Sequence, residues 1–262
     1  MQNFRMLRQY FRRSLPLILS AGLTVGIGAV ARAAEPESAP PELTAVLARV
    51  EAAANRRSLE TVLSNYSPNF TTADNLSRSE FSEGLTKLWE RYPDLSYRTQ
   101  LQSWERRGDG LVAETITVVT GTQQSEGRTL KLESTVRSRQ VIQNNLIIHQ
   151  DILSERSQLS MGASPPAVEV NLPERVKPGQ KYNFDTIVTK PLEDGLLLGG
   201  ASEQKVNSDL FINPSQFELE LLQAGGVFRM GQAPNLAEDR LLSAIIVGEG
   251  GITLVTQRLH VE

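Results

Sequence analysis

Cysteine is absent from this 262-residue chain. That single absence excludes a disulfide framework, a thiolate metal site, a cysteine nucleophile and a lipidated cysteine anchor, so the fold has to stand on packing. Histidine is nearly as scarce, with His149 and His260 the only two. A multi-histidine catalytic zinc centre is therefore out, and no stretch resembles a calcium-binding loop. No metal and no cofactor is expected. Gly-x-Ser-x-Gly, His-Glu-x-x-His, a Walker loop and a Gly-x-Gly-x-x-Gly after a strand are also missing. The glycine-rich stretches 195–200 and 248–251 lie between apolar extended runs and read as hairpin turns. Beyond the first 33 residues there is no Lys/Arg stripe with interleaved aromatics, which argues against nucleic acid as a partner.

What is present begins with a tripartite N-terminus. Arg5, Arg8, Arg12 and Arg13 precede the apolar run Leu15 to Val30, which is followed by Ala31-Arg32-Ala33. This is the pattern of a secretory signal peptide over residues 1 to 33, with cleavage expected after Ala33. The run contains Pro16 and falls short of the roughly 20 residues that span a bilayer, so no membrane span is expected after cleavage. Arg12-Arg13 lacks the rest of a twin-arginine signal, which leaves general secretion. Five of the 27 basic residues and none of the 30 acidic ones lie in this segment, so the mature chain carries 22 against 30. An acidic, exported protein is expected, in the periplasm or, for a cyanobacterial source, the thylakoid lumen.

Two stretches punctuate the remainder: a Pro/Ala/Glu linker at 34–41 and a break rich in small residues and proline at 159–166. In 42–158, Leu43, Val46, Leu47 and Val50 recur at helical spacing, as do Leu59, Val62, Leu63 and Tyr66. A third helix is expected from Ser77-Arg-Ser-Glu80, a capping-box spacing, with Phe81, Leu85, Leu88, Trp89 and Tyr92 on one side and Pro93 as its stop. Extended stretches follow at 95–106, 110–122, 128–142 and 146–154, separated by turn formers, as in an antiparallel meander with helices on one face.

Helices followed by a curved antiparallel sheet, over roughly residues 41–158, resemble the nuclear transport factor 2-like superfamily, which includes SnoaL-like and ketosteroid isomerase-like proteins. Tyr66-Ser-Pro-Asn-Phe70 is similar to the family's Tyr-x-x-Asp-Phe, and Leu146-Ile-Ile-His-Gln-Asp151-Ile-Leu-Ser154 is similar to its closing strand. Asn69 stands where the family usually has Asp, and Asn145 where Trp is common, so the family's catalysis does not carry over. The resemblance implies a cone of three N-terminal helices packed on the sheet around a pocket. Asp74 falls where cone-shaped members place a pocket carboxylate, a loop or cap role being the alternative. Tyr66, Phe70, Phe81, Trp89, Tyr97 and Trp104 would line an apolar cavity or form plain core. His149 and Asp151, two apart on a strand, share a face. They read either as a proton-transfer dyad or as a polar pair on the outer side of the sheet, since Leu146, Ile148 and Ile152 are apolar.

Residues 167–262 read as strands and turns throughout. Tyr182, Phe184, Thr186 and Val188 alternate with polar neighbours, and Phe217, Leu219 and Leu221 alternate with Glu218 and Glu220, as a two-sheet sandwich requires. Pro173 to Gln180, followed by Lys181-Tyr182-Asn-Phe184, resembles the Pro-Gly turn of bacterial immunoglobulin-like sandwiches, without the Cys and Trp of true immunoglobulin domains. Phe228, Arg229, Met230 and Leu236, set among turn formers, are either interface residues or a partly buried strand and its loop.

The expectation is therefore an α+β cone followed by an all-β, immunoglobulin-like sandwich. Its expected role is non-catalytic binding or assembly in the cell envelope, with an envelope protein or a small apolar molecule as partner and homodimerisation through the open sheet. The alternative is a small-molecule isomerase or hydrolase with His149 as base and Asp151 orienting it.

Overall fold

The computed structural model describes residues 33–125, 127–190, 196–206, 217–222 and 225–262. The segment expected to be a signal peptide, apart from Ala33, and Gly195 lie outside the described residues.

Pro40 and Pro41 preset the backbone for α1 (Pro41–Asn55), which buries Leu43, Val46, Leu47, Ala53 and Ala54. A positive φ at Arg57 turns the chain into α2 (Leu59–Leu63), a helix of only five residues. Next comes β1 (Tyr66–Thr72), and only then α3 (Arg78–Arg91). The capping box at the start of α3 forms as expected: the Ser77 hydroxyl accepts from the Glu80 amide, and the Ser77 amide donates to the Glu80 carboxylate at 2.8 Å. The meander follows as β2 (Ser96–Arg107), β3 (Gly110–Ser125), β4 (Arg128–Gln143) and β5 (Leu146–Met161). Asn144 and Asn145 both take positive φ, the two-residue hairpin turn that Asn tolerates, which gives Asn145 a structural reason. The chain continues through β6 (Val168–Asn171), β7 (Arg175–Val176), β8 (Lys181–Val188), β9 (Leu198–Lys205), β10 (Glu220–Leu221), β11 (Gly226–Gln232), β12 (Glu238–Gly248) and β13 (Gly251–Val261).

These strands correct the expected fold class in two ways. Three consecutive N-terminal helices do not form: β1 lies between α2 and α3, because Tyr66–Thr72 pairs in parallel with β5, some 80 residues away. Nor is there a cone followed by a separate immunoglobulin-like sandwich. Among the described residues one mixed, ten-stranded sheet runs in the order β10-β9-β12-β13-β5-β4-β3-β2, with β1 also on β5 and β7 on β13. Its continuity rests on β5, which runs on to Met161 and pairs residues 156–161 with β13. A strand edge that two independent modules would leave bare is thereby paired, and the break read at 159–166 begins inside a strand.

Each end of the sheet has its own cover. The helices pack on the meander around Leu43, Val46, Phe70, Ala113, Ile142 and Ile147. A three-stranded sheet, β11-β8-β6, packs against the β12–β13 end through Tyr182, Phe184, Leu242, Ala244, Val255 and Leu259.

Candidate functional site

Beneath the helices, three of the aromatic residues that would line a cavity, Tyr66, Phe70 and Phe81, touch one another. Tyr66 meets Phe70 edge-on at 4.8 Å between ring centres and Phe81 at 5.0 Å, and Phe70 lies 5.6 Å from Phe81. Burial pushes the Tyr66 phenol well above its ordinary pKa. Trp89 donates its indole N–H to the Tyr97 hydroxyl at 2.8 Å, and Trp104 donates to the Ser38 hydroxyl at 3.2 Å. The same face of the sheet carries a polar row that sequence reasoning missed. The Thr115 and Ser138 hydroxyls lie 3.1 Å apart, and Gln140 donates to the Gln150 side-chain oxygen at 3.3 Å. The signal available was polar residues at positions that alternate inward with Leu111 and Ala113.

His149 and Asp151 are on the other face. Register sets His149 beside Val141 and Thr71, and Asp151 beside Arg139, which is itself opposite Glu114. Directly opposed residues share a face. His149 Nδ1 is 3.2 Å from the Thr71 hydroxyl, while Arg139 and Arg137 both donate to Glu114. Burial works to raise the Glu114 pKa, but the two guanidinium groups outweigh it and hold the carboxyl below its ordinary value. Among the described residues no hydrogen bond joins His149 to Asp151.

Asp74 finds its partner 184 residues away. Its two carboxylate oxygens accept from Arg258 Nη1 at 3.0 and 3.1 Å. The same Nη1 donates to Asp239 Oδ2 at 2.7 Å, and Nη2 donates to Glu155 at 3.3 Å. The Arg258 side chain is 2% exposed. His260, on the same strand, places Nδ1 2.8 Å from Asp239 Oδ1 and Nε2 2.9 Å from the Leu153 carbonyl. This buried cluster ties together the β1–α3 loop, β5, β12 and β13. Sequence reasoning picked out only Asp74 from it, although Arg258 and His260, two apart in one strand, were visible as a pair facing one way.

The four residues read as an interface divide between two faces of β11 and the following loop. Phe228 is 50% exposed, Met230 73% and Leu236 76%. Phe228 and Met230 lie opposite Asp185 and Asn183 of β8, on the outward face, with Ile187 diagonal to Phe228. Arg229 alternates inward, beside a cavity of about 260 Å³ lined also by Tyr182, Phe184, Ala201 and Leu242, and its guanidinium reaches Glu220 at 3.5 Å. Gly231 passes beneath the Tyr182 ring, where a Cβ would lie 2.4 Å from a ring carbon.

Residues 163–262 match a family described as a domain of unknown function, DUF8623. No curated protein matches the chain. Several solved structures are similar to part of it. A protein of unknown function with a cystatin-like fold from Nostoc punctiforme is 11% identical, with 42% of this chain and 86% of that one covered and a TM-score of 0.34. An LEH-like epoxide hydrolase from M. tuberculosis is 9% identical, with 42% and 80% covered and a TM-score of 0.31. An NTF2-like protein from Burkholderia thailandensis is 15% identical, with 41% and 86% covered and a TM-score of 0.27.

Proposed function

We propose that this protein is an exported, non-catalytic binding protein of the cell envelope, built on a nuclear transport factor 2-like N-terminal part. It engages another envelope protein through the outward face of β11 and the loop that follows. The observation that carries this reading is the strip of Phe228, Met230 and Ile187 on one sheet face, all apolar and open to solvent, as is Leu236 in the loop after β11. Large apolar side chains clustered on an outward face are what interface centres use, and burying them on a partner removes that area from water. The second support is negative for catalysis: His149 hydrogen-bonds with Thr71 and shares its face with the Glu114–Arg139 ion pair rather than with the helix-covered interior.

The test is native mass spectrometry of residues 34–262 recovered from their own envelope, beside a Phe228→Ser/Met230→Ser variant. A protein complex that the variant loses, at an unchanged melting temperature, is the expected result. An uncomplexed chain, or a complex the variant keeps, overturns the reading. His149→Ala should leave the complex and the melting temperature as they are.

A further inference from the structure

One edge of β5 is shared by two strands. β1 pairs with it at residues 147–150 and β13 at residues 156–161, so among the described residues no strand covers 151–155 on that side. Into this gap β13 delivers Arg258 and His260. The Leu153 carbonyl, with no strand partner there, is met by His260 Nε2 at 2.9 Å. A carbonyl oxygen only accepts, so Nε2 must carry a proton. A carboxylate likewise only accepts, so Nδ1, 2.8 Å from Asp239, must carry one too. Both bonds exist together only in the imidazolium.

We propose that His260 is charged in the closed seam, and that its proton operates the joint between the helix-covered part of the sheet and the end covered by the three-stranded sheet. With the proton the imidazolium clasps β5 to β12. Without it, one ring nitrogen presents a lone pair to an acceptor and the clasp is lost. Asp239 on β12 and Arg258 on its own strand act on His260 directly, and Arg258 is paired in turn with Glu155 on β5 and Asp74 from the β1–α3 loop. Arg175 on β7 stands opposite His260 in register, but its guanidinium pairs with Glu262.

The surroundings act in the same direction. The hydrogen bond that His260 donates to the Asp239 carboxylate raises the His260 pKa, against burial and the nearby Arg258. Burial works to raise the Asp239 pKa, but His260 and Arg258 outweigh it and hold the carboxyl below its ordinary 3.8. His260, raised in the fold, therefore contributes fully below its ordinary 6.5, and the contribution is lost as pH rises through the raised value. Asp239 contributes fully above 3.8 and loses its contribution as pH falls through the lowered value. The seam is tightest in mildly acid solution and loosens on the alkaline side.

Only two histidines are present, so long-range ¹H–¹⁵N spectra of the labelled protein resolve each of them, with His149 reporting that the fold is intact. Both ring nitrogens of His260 should be protonated at about pH 6, with a midpoint above 6.5. Amide protection at 151–155 and 256–260 should fall across that midpoint relative to the β2–β4 meander. A bare ring nitrogen on His260 at about pH 6, or protection at the seam that does not change through the titration, overturns the proposal. His260→Gln should abolish the pH step in protection, and a step that persists in it also overturns the proposal. The wild-type spectra decide the matter even where that variant does not fold. A failure here leaves the binding role of the β11 face untouched, since that test reads partner capture and this one reads protonation.

Discussion

Under the helices, Tyr66, Phe70 and Phe81 fill space with rings that touch edge and face. At the seam, five ionisable side chains, Asp74, Glu155, Asp239, Arg258 and His260, fill a comparable gap with charge. Both regions join β1 or its loop to the sheet, yet they answer differently to damage. An aromatic interior that loses one ring keeps every polar group satisfied and gains a cavity. A charged interior that loses one member strands the others away from water, which costs more than the missing contact was worth. The first is graded and indifferent to pH. The second is close to all-or-none and follows the proton concentration.

The sharpest way to break the comparison is Arg258→Ala. Three carboxylates would lose their shared cation, and a loss of about 4–5 kcal/mol is expected in urea unfolding near neutral pH. The loss should shrink as acid neutralises the stranded carboxylates. A loss independent of pH would make the seam ordinary packing. Phe70→Ala comes next, at about 3 kcal/mol, because the ring is 1% exposed and removing it leaves a void between β1 and α3. Here the same denaturation should give one value at every pH, and a pH-dependent value would erase the contrast. Smallest is Ser77→Ala, which removes one half of the α3 capping box and should cost about 1 kcal/mol. Faster amide exchange confined to the first turn of α3, with the seam unaffected, would show that the two regions fail separately.

How much of this was legible in the sequence depended on how far apart the partners lie. The capping box at Ser77 and Glu80 involves neighbours three residues apart, and α3 begins where that spacing places it. The four hairpin strands of the meander were equally visible, since each pairs with the next across a short turn. Leu59, Val62, Leu63 and Tyr66 fit a period near four, which puts Tyr66 in a helix by local pattern. The pairing of Tyr66 with Ile147 overrides that local pattern, and no window of the sequence contains both residues. The same distance hid the seam: Asp74 could be read only as a cap or a pocket acid while Arg258, its counter-ion, lay at the other end of the chain. His149 and Asp151 were correctly placed on a common face by strand periodicity, but which face it is depends on register with Arg139 and Glu114.

The length of β5 has a consequence for anyone who would cut this chain by homology. The family match begins at residue 163, two residues after β5 ends, so a fragment starting there keeps β13 and discards the strand it hydrogen-bonds to along residues 252–257. Such a fragment would expose a ready-made ladder of unpaired amides and carbonyls, inviting strand exchange between copies or insertion of a strand from another protein. The boundary set by the family match and the boundary set by hydrogen bonding fall on opposite sides of one strand.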